Sequence, residues 1–439
     1  MREANDSVDK VQELQRALYC AAKRSETRRF HALYDKVYRK DIMWAAWEKV
    51  KANRGVAGAD GQSLKSIEES GVEAFLSQLE EELREGRYRP EAVKRVNIPK
   101  PDGRIRPLGI PVIRDRVVQA AVKIVIEPVF EADFEGCSYG FRPKRSAQGA
   151  NEVIRETANR GYNWVLDADI ESYFDTIDQE RLMEMVEQRI SDRKMLKLIR
   201  KFLEAGVLED GKVRKPTTGT PQGGVLSPLL ANIYLNYLDK EWKESHSREG
   251  VLVRYADDLV ILCQSEAQVR EALRLLEGIM EQLGLRLHPT KTRIVDLREG
   301  REGFDFLGFH HRKVRSWRWK RYYLQRWPRA KALAAIREKI RSIAGERYRL
   351  SWSLQMMIRV LNPVLRGWGN YFARGNSARQ FAVVDSYVKE RLMLFLSKKH
   401  GKSGRGWGQR WREIDFRSEG LYRLSGTVRW NTQTVHAVR

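Results

Sequence analysis

The sequence predicts an α+β fold of more than one domain, and three observations carry that reading. Long stretches at both ends repeat apolar residues at helical spacing, two segments between them have the turn chemistry of antiparallel hairpins, and 439 residues suit two to four domains rather than one. Hydrophobic residues make up 42% of the chain and twelve of them are Trp, a composition that excludes a chain disordered throughout.

Residues 7–52 read as helices, with Val11, Leu14 and Leu18 and then Ile42, Ala45 and Val50 recurring at three- and four-residue spacing. The run RGVAGADG at 54–61 is loop, and a helix over about 71–86 follows. The basic stretch 93–111 is extended and folds back at Pro99-Lys100-Pro101-Asp102-Gly103. Helices at 112–132 and 146–160 precede a strand over 164–170, whose two-residue period puts Asp167 and Asp169 on one face. Two more helices, 178–190 and 193–205, lead to a Pro- and Gly-rich loop at 215–222 that opens onto a helix over 227–240. Two apolar runs within 251–262 meet at Asp257-Asp258 as a short-turn hairpin. A helix over 266–283 and strands near 291–297 and 304–309 complete this part. After Arg312 the periodicity is helical through 397, followed by a Gly/Lys/Arg loop at 398–408 and an irregular basic tail.

Charge divides the chain sharply. Lys and Arg number 81 against 58 Asp and Glu, a net of +23, and residues 311–439 hold 30 of the former and 7 of the latter, so the entire excess lies there. Eight of the twelve Trp lie in the same third. Cations interleaved with flat rings suit a polyanion with bases to stack, such as single-stranded or irregular RNA. The plainer reading is a basic helical surface over buried Trp, serving solubility or a lipid face. No apolar run of 18 residues exists and the start, MREANDSVDK, is polar, so neither a membrane span nor a secretory signal is expected. Cys20, Cys137 and Cys263 form no CxxC pair, which points to a reducing, cytoplasmic setting.

The hairpin over 251–262 sets two carboxylates side by side at the tip of an apolar ribbon. Either they make the turn and face water, as Asp commonly does, or they join a third carboxylate to hold divalent metal. Asp169 can supply the third, although Asp167, Asp175 and Asp178 compete and spacing alone does not choose. An all-oxygen donor set favours Mg2+, and two such ions would activate a 3′-hydroxyl and stabilise pyrophosphate in nucleotidyl transfer.

Tyr255-Ala256-Asp257-Asp258 resembles the YxDD box of reverse transcriptases. The ordered segments IPKPDGRIRPLGIP (98–111), SYGFRPKRSA (138–147), DADIESYFDTID (167–178), GTPQGGVLSPLLANIYLNYLD (219–239), LRLHPTKT (285–292), FDFLGF (304–309) and LNPVLRGWGNYF (361–372) resemble group II intron-encoded reverse transcriptase/maturases over roughly residues 45–395. The resemblance implies a right-hand polymerase: a helical N-terminal extension (1–60), fingers and palm with an antiparallel sheet (61–310), a helical thumb and maturase region (311–397) and a basic C-terminal segment (398–439) suited to DNA. Asp169, Asp257 and Asp258 would be catalytic and would hold two Mg2+ ions, replaceable by Mn2+, together with the main-chain carbonyl of Ile170; Asp167 would be structural. Lys100 and Arg106 would grip the triphosphate, Phe174 would reject a 2′-hydroxyl, Gln222 would pack beside the nascent base pair, with neighbouring glycines admitting the template backbone, and Lys291 would protonate pyrophosphate. Trp352, Arg359, Arg366 and Asn370 would contact RNA.

The implied partners are a group II intron RNA, an RNA template with a DNA primer, dNTPs and a DNA target, and no membrane, within a cytoplasmic ribonucleoprotein. The implied work is RNA-directed DNA synthesis, help in intron splicing, and mobility by target-primed reverse transcription. No cysteine follows Cys263, so the zinc-bearing endonuclease of many relatives is not expected, and His310-His311 reads as a strand end. Two other readings stay open: an RNA-binding splicing cofactor that leaves the polymerase unused, and a retron, diversity-generating or defence-associated reverse transcriptase.

Overall fold

The computed structural model describes residues 2–99, 105–209, 212–214, 219, 223–401 and 407–429. Its strands are β1 (Val93–Pro99), β2 (Ile105–Ile110), β3 (Trp164–Asp169), β4 (Val207–Glu209), β5 (Lys212–Arg214), β6 (Val251–Tyr255), β7 (Asp258–Cys263), β8 (Arg293–Asp296), β9 (Gly303–Phe306), β10 (Phe309–Arg315) and β11 (Tyr322–Pro328). They form three sheets, ordered β2-β1-β4-β5, β6-β7-β3-β8 and β11-β10-β9.

The middle sheet is antiparallel throughout and is packed on both faces. Alternation along its strands sends Leu166, Ala168, Leu259, Ile261 and Cys263 into the largest core, and Val165, Val253, Val260, Leu262 and Val295 into a second one. The first core is filled by the helix Ile113–Glu131, nearly every turn of which is buried, and by the N-terminal helices Arg2–Arg24 and Lys40–Ala52 through Val11, Leu18, Ala22, Ile42 and Trp47. The N-terminal extension thus shares the core of the sheet and has none of its own. The second core is closed by the helix Ala147–Asn159 and by Phe304, Phe306 and Leu324 from the third sheet.

Two sequence expectations are corrected here. Helical periodicity was expected from Arg312 onward, but residues 309–328 form the hairpin β10–β11, with Phe309 opposite Pro328 and Arg315 opposite Tyr322, and the helices begin at Ala330. The reason is visible in the burial along β11, which alternates residue by residue through Leu324, Arg326 and Pro328, a strand period that the dense basic and aromatic composition obscures. His310-His311 opens β10 instead of ending a strand. His311 is buried, stacks on Phe304 at 4.9 Å and shares a 2.8 Å hydrogen bond with Asn151, and burial pushes its pKa well below the usual value.

The C-terminal tail is likewise integral. Helices Ala330–Ala344, Leu354–Phe372 and Ala378–Lys399 make a third core, into which Phe416 and Leu424 are buried. Asp385 accepts from the backbone amides of Leu424 and Ser425 at 2.9 and 2.8 Å, and Gly369 leaves room for Leu424, whose Cδ2 would lie 2.5 Å from an added Cβ. The segment around 411–429 therefore clasps the helices, and no helix among the described residues is long and apolar enough to cross a membrane.

Candidate active site

The hairpin turn falls one residue earlier than the sequence suggests. Tyr255 pairs with Asp258, so Ala256 and Asp257 make the turn and Asp258 begins β7. Ala256 adopts a left-handed backbone with φ 57°, and Gly140 presses against it so closely that an added Cβ would lie 2.4 Å from the Ala256 amide nitrogen. In consequence Asp258 stands directly across the sheet from Asp169. Cross-strand neighbours of this kind have Cβ atoms about 5 Å apart.

These two residues, with Asp167 and Asp305, line an open cavity of about 280 Å³ together with Lys291, Arg329, Phe306, Leu307 and Gly308. The protein that surrounds it at the cavity wall, reinforced by the negative charge of Asp257, Asp169 and Asp167, pushes the Asp258 carboxyl up to about 7, although the residue keeps contact with solvent. Asp167 rises to about 6, chiefly by burial and against the pull of Arg293, whose Nε donates to it at 3.2 Å. Asp305 moves the other way, held down by its hydrogen bond to His310 at 2.7 Å. Lys291 donates to the Asp169 carboxylate, so a cation already sits on one member of this anionic cluster. The strand end is fixed by the His288 amide, which donates to the Asp169 carbonyl at 2.7 Å, and by the bridge from Ile170 to Leu287.

Beneath the turn lies a network that the sequence reading missed. Arg254 is fully buried; its Nε donates to Asp239 at 2.8 Å, its Nη1 to Asn232 at 3.0 Å and to the Ala256 carbonyl at 2.9 Å, and its Nη2 to the second Asp239 oxygen. Asn232 in turn donates to the Gly140 carbonyl at 2.7 Å. One guanidinium thereby ties the turn to the helix Ser227–Ser245 and to the segment around Gly140. The signal was present: a lone Arg inside an apolar strand, and Asn232 and Asp239 two helical turns apart on an otherwise apolar helix face.

The remaining site residues named from sequence are placed as follows. Asp257 is at the turn, half-buried, beside the cavity wall rather than in it. Phe174 lies outside this cavity, half-buried in the short helix Tyr173–Thr176, whose Tyr173 hydroxyl donates to the Ala231 carbonyl at 2.6 Å. Asp178 caps the next helix by accepting from the Arg181 amide at 2.9 Å, which removes it as a rival of Asp169. Lys100 and Gln222 fall outside the described residues, as does the Arg106 side chain, although β1 and β2 pair as the Pro-Asp-Gly turn requires. Gly223 packs against protein rather than offering itself to a template: with φ 111°, an added Cβ would lie 2.4 Å from the Gly109 carbonyl oxygen.

Arg359, Arg366 and Asn370 are exposed along one face of Leu354–Phe372, while Trp352 is half-buried against the helical core with the Arg349 guanidinium 5.1 Å from its ring. Arg366 also covers the Tyr422 ring at 4.5 Å.

Among the described residues, no group of three or more His, Cys, Asp or Glu is drawn around a single point as a closed cage. The wall nevertheless fits a hard divalent ion, since its donors are carboxylate oxygens in mutual repulsion, and Mg2+ needs only one or two carboxylates besides phosphate oxygens and water.

Residues 98–311 match the family described as reverse transcriptase (RNA-dependent DNA polymerase), and residues 333–412 match the maturase-specific domain of group II introns. Protein YkfC of Escherichia coli (strain K12) is 34% identical over 393 residues, covering 80% of this chain and 99% of YkfC. The group II intron-encoded protein LtrA of Lactococcus lactis subsp. cremoris is 40% identical over 216 residues, which are 48% of this chain and 35% of LtrA. A partial Cas6-RT-Cas1–Cas2 complex, 25% identical, overlaps 57% of this chain and 42% of the solved one with a TM-score of 0.36. With a polymerase domain and an intron-maturase domain in succession, and a relative matched over nearly its whole length, the chain belongs to the group II intron-encoded reverse transcriptase/maturases.

Proposed function

We propose that this protein synthesises DNA on an RNA template from a primer, binds a group II intron RNA to assist its splicing, and supports movement of that intron by target-primed reverse transcription. Reverse transcriptases use divalent metal ions. Here Asp169, Asp257, Asp258 and the Ile170 carbonyl would hold Mg2+, or Mn2+ in its place, and the ions would lower the pKa of the attacking hydroxyl and neutralise the leaving group. The observation that carries this reading is the cross-strand pair Asp169–Asp258 on the wall of a cavity that also holds Lys291 and Arg329. Those two cations are placed to draw in a triphosphate, and Lys291, freed from Asp169 when a divalent ion arrives, can deliver a proton to pyrophosphate. Arg254 anchors the turn bearing Asp257 by donating to the Ala256 carbonyl.

Extension of a DNA primer on an RNA template with dNTPs, measured with and without chelator, tests the polymerase. Sequencing the RNA that accompanies the protein purified from its host tests the intron partner: enrichment of a group II intron RNA is expected, and its absence would leave the splicing role without support. The match over 333–412 favours this reading over a retron or a diversity-generating enzyme.

Phe174 supplies a test of sugar selectivity. If its ring guards the 2′ position of the incoming nucleotide, Phe174→Val raises ribonucleotide incorporation relative to deoxyribonucleotide by about tenfold or more, a difference of ~1.4 kcal/mol. Unchanged selectivity in single-nucleotide extension would remove Phe174 from the site.

A further inference from the structure

The tip of the hairpin β10–β11 carries a surface that the polymerase reading does not use. Its residues 316–321 run Ser-Trp-Arg-Trp-Lys-Arg, and Trp317 and Trp319 are 89% and 69% exposed. Tyr322 and Tyr323 follow, both exposed, and Arg315, Arg318, Lys320 and Arg321 stand in the open around them. The turn itself is ordered: the Ser316 amide donates to the Arg321 carbonyl at 2.8 Å, the Lys320 amide to the Ser316 carbonyl at 2.9 Å and the Trp319 amide to the Ser316 hydroxyl at 3.1 Å. Arg318 lies 5.0 Å from the Trp319 ring and Lys320 lies 5.6 Å from the Trp317 ring. No acidic residue occurs between Asp305 and Glu338.

Two indole rings held in water are costly, and a hairpin that needed only solubility would carry the cations alone. A protein-docking patch gathers its apolar groups at a centre from which charge is depleted, whereas here ring and cation alternate one by one. That alternation is the pattern that serves unpaired nucleobases, since rings stack on the bases and cations follow the phosphates. Position favours the same ligand. The hairpin rises from the catalytic cavity, whose lining includes Gly308 and Arg329 at the two roots of its strands. Along the seven residues of β10 the tip stands about 20 Å from that root, a span of about six nucleotides of a single strand.

We propose that the 316–323 tip is a stacking platform for unpaired bases of a nucleic-acid strand that runs to or from the cavity. The inference rests on the polymerase reading for its choice of ligand. The Ser-Trp-Arg-Trp-Lys-Arg turn is a second contact, separate from the helix face of Arg359, Arg366 and Asn370.

The test compares the intact chain with Trp317→Ala/Trp319→Ala and Trp317→Phe/Trp319→Phe, measuring affinity for labelled oligouridylate, oligothymidylate and a blunt RNA duplex at fixed salt. The Ala pair is expected to weaken single-strand binding by about thirtyfold or more, the loss of two stacked bases, and to leave duplex affinity within about threefold. The Phe pair, which keeps flat rings, should stay within about threefold of the parent on every probe and shows that the turn still folds. Whichever of the RNA and DNA arms loses more identifies the strand. Equal single-strand affinity in the Ala pair, an equal loss on the duplex, or binding of phosphatidylserine vesicles in place of oligonucleotides would overturn the proposal. Primer extension by the parent, measured in the same preparation, separates the two readings: extension with unaltered single-strand affinity in the Ala pair overturns the platform alone, and no extension with the expected affinity loss overturns the polymerase alone.

Discussion

Asp257→Ala and Asp169→Asn are each expected to lower primer extension on an RNA template by about a thousandfold or more, ~4 kcal/mol of transition-state stabilisation. Neither should unfold the protein. Asp257 sits half-buried at a turn, and its charge is one of those that push the Asp258 carboxyl up to about 7, so removing it relieves repulsion. Asp169 gives up its ion pair with Lys291, but that lysine is largely exposed and such a pair contributes at most about 1 kcal/mol. Thermal melting measured beside single-turnover extension separates chemistry from folding. Wild-type extension by Asp257→Ala would end the metal assignment, since the turn offers no other carboxylate except Asp258 across the strand boundary.

Arg254→Met should do the opposite and damage stability first. It strands the Asp239 carboxylate, which has no exposure to solvent, and the expected cost is about 3–5 kcal/mol, read as a shift of the urea midpoint with an unchanged slope. Pairing it with Asp239→Leu removes both charges and should recover most of that loss, because a buried ion pair is often no more stabilising than apolar side chains of similar volume. Activity is expected to stay low in the double variant. The Ala256 carbonyl and the Asn232 amide oxygen still lack their donor, so the turn carrying Asp257 is no longer anchored. If stability and extension recover together, Arg254 only balances a charge. If stability recovers alone, it positions the turn.

Much of this was legible in the chain because it is local. The alternation through Asp167-Ala168-Asp169, the antiparallel pairing of β1 with β2 and the existence of a short-turn hairpin between β6 and β7 are all set within a few residues, and only the hairpin's turn is displaced, by one residue. The distinction between Asp167 and Asp169 is not local. It follows from the pairing of β3 with β7, strands nearly ninety residues apart, which sets Asp169 rather than Asp167 opposite Asp258.

Arg254 escaped notice because a charge in a strand reads as an outward position, and only Asp239 and Asn232, brought in by a helix, make its burial tolerable. The hairpin β10–β11 is hard to read because its buried face mixes Phe309 and Leu324 with His311, Lys313 and Arg326, polar side chains buried with hydrogen bonds to Asn151, Asn163 and Glu152. A pattern search that counts only apolar residues cannot see such a face.

The sheet that bears Asp169 and Asp258 has core on either side of it. Lifting β3 or β7 breaches two interiors at once, so their amides should exchange with deuterium only through opening of the whole unit, and more slowly than those of β5, an edge strand of the first sheet. The chemistry is thus mounted on the least yielding part of the molecule, and whatever motion translocation requires must come from the elements around it.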